Sequence, residues 1–475
     1  MGSQLPRKYV TACFREKMVE AHPGLDRNPA YWRLVQFLLF GALRDDSSGR
    51  LVLPNRLLAE MAGKERQHEQ NNFNGRRFLE EFERDVAKGF TIDDDWSYVD
   101  GKARTVVDGG LDPSAATWAT EMAKDILDGA DVVDLESGMK VSRAMAAADE
   151  RTLRDSVASD MVASGVACET RLVVEHQNAR SKRGFSAVVR DHLASAEQKA
   201  WNLADEASRR SALQTLASIK LRPRPLIQPK ENSPRAFSVG ASLLTLKSSL
   251  RREFARRWVD YDLKSAQLAI VGRQWDCEAI LDILNSDDSV WTYLADALGV
   301  PRVRSKEFFK KAIYALVFGA ARSSIVDAVE TASGVTGLGE RFLANEFVHE
   351  VYEARERALE RVLSGGGATT ELGRHLAVGR SLSREMRHKK ARSILAQVAQ
   401  ATELLLIHPV YEVAKGTTQF DIMLYQFDGV TIRYRDARSW GRWHKEVRAA
   451  VSERAKHLRV DTGLESTKGE DFDWT

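Results

Sequence analysis

The chain has 475 residues, 43% of them hydrophobic and 29% charged, which is enough for several domains with sizeable cores. No stretch approaches the roughly 18 uninterrupted apolar residues of a membrane span, and three scattered cysteines (Cys13, Cys168, Cys277) offer neither a disulfide framework nor zinc-ligand spacing. A net charge of +3 from 70 basic and 67 acidic residues carries no gross polyanion signal, although basic residues cluster in RRWVDYDLK, PRVRSKEFFKK and SREMRHKKAR.

The amino terminus, MGSQLPRKYV, lacks the apolar core of a secretory signal, so a reducing, cytoplasmic setting is expected. Residues 30 to 110 read as a small module. NPAYWRLVQFLLFGAL has helical apolar spacing with Asn28 and Pro29 suited to its start. RLVLP reads as a strand, PNRLLAEMAGK as a helix ending at Gly63, and NFNGRRFLEEFERDV as a helix with Phe78, Leu79, Phe82 and Val86 on one face. WSYVDGKARTVV alternates around Asp100-Gly101, a hairpin signal. Three helices and a hairpin describe either a DNA-binding winged helix or a plain scaffold. From about 114 to 220 the chain is Ala-rich and polar, and SRAMAAADERTLRDSVASDMVASG and SAEQKAWNLADEASRRSALQTLASIK read as long surface helices of an arm. Pro223, Pro225, Pro229 and Pro234 then interrupt helix formation, which places the main boundary near 230.

Three pieces after that boundary carry chemistry. Trp258 to Tyr261 reads as a strand stopping at Asp262, with a helix from Ser265, so an acid stands at a strand end with room for a metal above it. Lys306, Lys310, Tyr314 and Phe318 fall at four-residue steps on one helical stripe, where ammonium groups meet phosphates and rings pack on base and sugar. Gly319 follows and would admit a base close to the backbone. Met423 to Phe427 and Val430 to Tyr434 form a hairpin around Asp428-Gly429, a second carboxylate at a tip. Taken singly, these are also an ordinary cap, a half-buried helix and a common turn; their order together is specific.

In that order they resemble the DNA polymerase I family, family A, over about residues 235 to 475. WVDYDLKSAQLAIVG is similar to its first palm motif, the Lys306/Lys310/Tyr314/Phe318-Gly319 series to its fingers helix, and YQFDGVTI stands where it has His-Asp-Glu. SVWTYLADALGV, ARSILAQVAQATELLLI and the tail HLRVDTGLESTKGEDFDW are similar to lesser family segments. The resemblance implies an α+β right-hand fold of palm, fingers and thumb with a mostly helical N-terminal region. It implies an N-terminal module over 1–112, a thumb-like region over 113–230, and palm and fingers over 231–475, with fingers at about 275–390. Asp262 and Asp428 would hold two Mg²⁺ ions about 3.5–4 Å apart, with Mn²⁺ as a substitute. Lys310 would neutralise or protonate the leaving triphosphate beside Lys306, Tyr314 would pack on the sugar, and Phe318 would stack near the templating base. Arg235, Gly319, Arg392 and Gln397 would lie against nucleic acid.

Departures matter equally. Gln267 replaces the family's Glu that blocks the sugar 2′-hydroxyl, Phe318 replaces Tyr, and Phe427 and Gly429 replace the His and second carboxylate. Asp260, two residues before Asp262, is an alternative register shared with single-subunit RNA polymerases. Asp134 and Glu136 form a fragment of an exonuclease pattern, but the span before residue 230 leaves no room for a proofreading domain. The expected activity is Mg²⁺-dependent, template-directed nucleotidyl transfer on a DNA template and primer with nucleoside triphosphates. The expected protein makes DNA without proofreading and serves replication of a phage, plasmid or other mobile element in a bacterial or infected cell. The alternatives are an RNA polymerase or primase-polymerase, and a non-catalytic DNA-binding initiator.

Overall fold

A computed structural model describes residues 8–40, 51–53, 55–64, 73–87, 91–92, 104–107, 111–163, 166–179, 185–230, 233–286, 289–379 and 381–472. The chain divides into two compact units. One unit comprises residues 1–164, 178–228 and 238–256; the other comprises 165–177, 229–237 and 257–475. Residues 112 and 113 fall in the first unit, and between 229 and 256 the chain passes from the second unit back to the first. No helix among the described residues is long and apolar enough to cross a membrane.

In the first unit, β1 (Tyr9–Val10) leads into α1 (Ala12–Ala21), whose cap Thr11 accepts a hydrogen bond from the Phe14 amide. Next come α2 (Pro29–Phe40), β2 (Leu51–Leu53), α3 (Asn55–Met61), α4 (Gly75–Asp85), β3 (Thr91–Ile92) and β4 (Arg104–Val107). The strands form an antiparallel sheet in the order β2-β4-β3. The expected turn at Asp100-Gly101 lies outside the described residues. Phe78, Leu79 and Phe82 are buried along α4, as its periodicity requires.

The Ala-rich stretch is not an arm. After α5 (Ala115–Asp128), β5 (Val133–Asp134) and α6 (Arg143–Ala163), the chain passes through α7 (Cys168–Asn178), which belongs to the second unit but for its last residue. It then forms two helices where one was expected, α8 (Phe185–Trp201) and α9 (Glu206–Leu221), because Asp205 caps the latter by accepting from the Ser208 amide. Leu213, Leu216 and Ile219 of α9 are completely buried, and α9 packs on α5 and α8. Small residues here serve close helix packing, which polarity alone did not reveal.

Glu253 lies on α10 (Ser248–Phe254) and gathers three partners. Burial raises its pKa, but hydrogen bonds from Lys199, Ser195 and Arg256 hold the carboxylate down to about 2. Because the folded pKa is depressed, its contribution is complete above the unfolded value near 4.5 and disappears as pH falls through about 2. Glu253→Ala is expected to cost about 2 kcal/mol at neutral pH, read by urea unfolding, and to flatten the acid limb of the stability profile.

Strands β6 (Ile227–Lys230) and β7 (Ser233–Ser238) pair with one another. The second unit is then built on β8 (Val259–Leu263), α11 (Ala266–Trp275), α12 (Glu278–Asn285), α13 (Val290–Leu298) and α14 (Arg302–Val317). They are followed by α15 (Arg322–Ser333), α16 (Leu338–Ala344), α17 (Glu346–Ser364), a hairpin of β9 (Gly367–Thr369) and β10 (His375–Ala377), and the 32-residue α18 (Arg384–Lys415). The unit closes with β11 (Phe420–Tyr425), β12 (Gly429–Tyr434), α19 (Ala437–Leu458) and β13 (Leu464–Lys468).

Its sheet is antiparallel, in the order β11-β12-β8-β13, so that β8 is central. Alternation along β8 buries Val259, Tyr261 and Leu263 and leaves Asp260 and Asp262 on the other face. The Tyr261 hydroxyl meets the Tyr434 hydroxyl at 2.7 Å and His444 Nδ1 at 2.8 Å, fixing the buried side against α19.

Candidate active site

Two acids lie at one end of this sheet, Asp262 on β8 and Asp428 in the turn before β12. Asp262 of β8 pairs in register with Gly429 of β12, and the Leu263 amide donates to the Asp428 carbonyl at 2.9 Å. Asp260 faces Thr431, whose hydroxyl donates to it at 2.5 Å, with Gln426 at 3.4 Å. Asp262 is thus level with Gly429 and one position from Asp428, whereas Asp260 is bonded into the sheet.

Gly429 explains the missing second carboxylate. A Cβ there would lie 2.2 Å from Asp262 Oδ1 and 2.5 Å from the Tyr261 carbonyl. Asp262 occupies the space that any side chain at 429 needs. Sharp backbone turns flank both acids: Ser265, after Asp262, has φ +50°, and Phe427, before Asp428, has φ +67°. Left-handed conformations of non-glycine residues cost roughly 1–3 kcal/mol each and gather at functional sites.

The helix stripe forms as read, with Phe318 as the C-cap of α14 and Gly319 at φ +87°. Lys306 and Lys310 are exposed and Tyr314 is half-buried. Lys310 Nζ lies 5.5 Å from the Tyr314 ring centre, and the Tyr314 and Phe318 rings meet edge-on at 6.4 Å. The opposite face, with Phe309, Ala312, Ile313 and Leu316, is buried, and Phe309 stacks on Phe342. Gly319 has a different purpose from the expected one. A Cβ there would meet Arg392 Cδ at 2.8 Å, and Arg392 donates to the Gly319 carbonyl at 3.3 Å, so the glycine admits an arginine.

The electrostatics tie stripe and carboxylates together. Burial raises the Asp428 carboxyl above the usual range, with Arg235 and Lys310 opposing. Burial, then Asp428 and Glu403, push the Tyr314 phenol up to about 12.

Glu403 was not foreseen. It lies in the middle of α18, completely buried, and accepts from Arg235 Nε at 2.8 Å, from a second Arg235 nitrogen at 2.5 Å, and from Gln267 Nε2. Burial pushes it up to about 7, while Arg235 pulls the other way. The Arg235 guanidinium also sits 4.8 Å from the Phe427 ring centre. Arg235 is therefore fastened inside the site. Gln397, expected against nucleic acid, is buried and bonds back to Ser393, whereas Gln400 accepts from Ser233 near Arg235. The one usable signal was a single acid in the run ATELLLI, too apolar to be a solvated face.

Among the described residues no cluster of three or more His, Cys, Asp or Glu side chains could hold a metal. The donors at Asp262 and Asp428 are hard oxygens, and Mg²⁺ commonly takes one or two carboxylates with phosphate oxygens and water completing its shell. Two hard carboxylate donors at neighbouring positions fit such an ion.

No protein-family model matches the sequence, and no curated protein matches it. Among solved structures similar to this chain is the POL domain of Pol1 from M. smegmatis, in complex with DNA primer-template and dNTP. Identity is 13% and the TM-score 0.44, over 60% of this chain and 64% of that chain, so less than two thirds of that domain is spanned. What the site does must be read from its own residues.

Proposed function

We propose that the protein catalyses template-directed nucleotidyl transfer: a 3′-hydroxyl oxygen bonds to the α-phosphorus of a nucleoside triphosphate, the bond to the pyrophosphate oxygen breaks, and the hydroxyl proton is lost. The observation that carries this is the placing of Asp262 on β8 next to Asp428 just before β12, with Asp428 within electrostatic reach of Lys310 and Tyr314. Asp262 and Asp428 would hold Mg²⁺, which supplies positive charge to the triphosphate and acidifies the attacking hydroxyl. Lys306 and Lys310 bind the phosphates, Lys310 being placed to offset charge on the departing pyrophosphate. Tyr314 supports the sugar, and exposed Phe318 offers a stacking face to a base.

The template is DNA in this reading, tracked by the first turns of α18. Arg384, Arg387, Lys389, Lys390 and Arg392 are opposed there only by Glu385. Arg384→Ala with Lys389→Ala is expected to weaken DNA binding about tenfold and to reduce the slope of log affinity against log salt by about 2. Fluorescence anisotropy across a salt series measures this.

The N-terminal module has the helix and strand order of a winged helix, yet we assign it a scaffold role. Arg76, Arg77 and Arg84 on the outer face of α4 are paired with Glu80, Glu81 and Asp85 at 2.8–2.9 Å, which leaves little positive field for phosphates. Asp134 and Glu136 are likewise structural. Asp134 accepts from the Ser137 amide and hydroxyl, and Glu136 takes both prongs of Arg33 at 2.8 Å, so synthesis proceeds without proofreading by these acids.

Extension of a primed DNA template with dNTPs and with NTPs, in Mg²⁺, tests the proposal. Template-dependent product is expected, and a protein that binds the template but makes none under Mg²⁺ or Mn²⁺ would be an initiator instead. RNA synthesis is the second reading, favoured by Gln267 in place of a carboxylate.

A further inference from the structure

Three cations from separated stretches of the first unit line one small pocket, and the nucleotidyl transfer proposed above uses none of them. Lys8 precedes β1, Arg222 is the C-cap of α9, and Arg224 follows between Pro223 and Pro225. The pocket measures about 70 Å³, far below the roughly 300–1,000 Å³ that encloses a drug-sized molecule, and exposed Gly240 leaves its rim without a side chain. Glu150 of α6 is the one acid lining it among the described residues, and its Oε1 already accepts from two Arg154 nitrogens at 3.0 and 2.8 Å. A cation suits the partial negative charge at the end of α9, which accounts for Arg222 but not for a gathering of three. Burial, then Arg222, lower the Lys8 ammonium to about 8, so the fold holds these charges together against their repulsion. Both arginines stand on a fixed frame. The Arg222 guanidinium lies 5.1 Å from the Tyr9 ring centre, and that ring is anchored by its hydroxyl, which donates to Asp149 at 2.6 Å. The prolines on either side of Arg224 restrict the backbone that carries it. Cations brought together in this way suit a compact anion.

We propose that this pocket, built wholly from the first unit, binds a phosphate group with Lys8, Arg222 and Arg224 as its donors. A phosphate monoester brings up to two negative charges and three terminal oxygens, which match one ammonium and two planar guanidinium forks. A phosphate inside a continuous strand suits the pocket less, because it carries a single charge and its strand must both enter and leave. The ligand is therefore free phosphate or the phosphate at the end of a nucleotide strand. Bound there, it offsets the repulsion between Lys8 and Arg222 and ties the segment before β1 to the end of α9. The inference does not depend on the polymerase reading, since no residue of the second unit enters it.

Calorimetric titration of the full chain with inorganic phosphate tests this, in EDTA and with chloride holding the ionic strength constant. Saturable binding is expected, and Lys8→Met and Arg224→Gln should each weaken it about tenfold, the worth of one charge-assisted hydrogen bond. Thermal unfolding separates a lost site from a damaged fold. Without phosphate, Lys8→Met removes a repelled charge and should melt level with the unmodified protein or above it. With phosphate, the unmodified protein should gain more than the variant does. An oligonucleotide carrying a 5′-phosphate, compared with its 5′-hydroxyl form, identifies the source of the group. A preference of about tenfold that Lys8→Met abolishes assigns a strand end; equal binding of the two assigns free phosphate. No saturable phosphate binding, or binding that both variants leave unchanged, overturns the inference.

Discussion

Asp428→Asn is expected to lower nucleotide incorporation by about a thousandfold or more while leaving the melting temperature level or slightly raised. The two halves of that outcome have one cause. Burial raises the Asp428 carboxyl, so the folded protein binds this proton more tightly than the unfolded chain does. The stabilising state is the protonated one: its contribution is full below the unfolded pKa and is lost as pH rises through the folded pKa. At neutral pH the ionised side chain is a strain on the fold that the site's chemistry requires, and a neutral amide relieves it. The same shift predicts the pH profile of stability: without a divalent ion, the difference in melting temperature should move in favour of the Asn variant as pH rises through the folded pKa of Asp428. Thermal unfolding of both proteins across pH 5 to 8, alongside stopped extension assays, would show both halves. An Asp428→Asn variant that retains synthesis would remove Asp428 from the mechanism.

Gly429→Ala should cost about 2–3 kcal/mol and most of the activity, although alanine adds a single methyl group. The new Cβ would lie inside contact distance of both Asp262 Oδ1 and the Tyr261 carbonyl, 2.2 and 2.5 Å away. The second of these is backbone of the central strand and cannot rotate aside. Gly429→Glu, which would restore the carboxylate found in the resembled family, is therefore expected to fare worse. Urea unfolding gives the first quantity and primer extension the second; a stable, active Gly429→Glu protein would show that the strands can separate here.

Much of this site was legible from the sequence because its signals are local. The four-residue steps from Lys306 to Phe318 reappear on α14, and the strand-then-helix pattern around Asp262 and the hairpin at Asp428 form as spacing dictates. Glu403 was not legible because its partners, Gln267 and Arg235, lie 136 and 168 residues away. The same applies to Gly429, whose need for a bare backbone comes from a neighbouring strand. Gln397 was misplaced because helical spacing does not say which of two nearby glutamines faces inward. The division into units leaves no local signal, because each is assembled from separated stretches of chain, with 165–177 and 229–237 in one unit and 238–256 in the other.

The last turn of α14 has a mechanical consequence. A buried arginine from another helix fastens it: Arg355 of α17 donates to the Leu316 carbonyl in that turn at 3.1 Å and to the Ala320 carbonyl just beyond the helix at 3.3 Å, with its guanidinium 4.4 Å from the Tyr352 ring centre. A helix end fastened in this way cannot tilt alone. Any swing that brings Lys310 and Tyr314 toward or away from a bound nucleotide must take α17 with it as one lever. Left-handed Gly319 lies between the two held carbonyls, so the travel of the pair is governed by joints outside it.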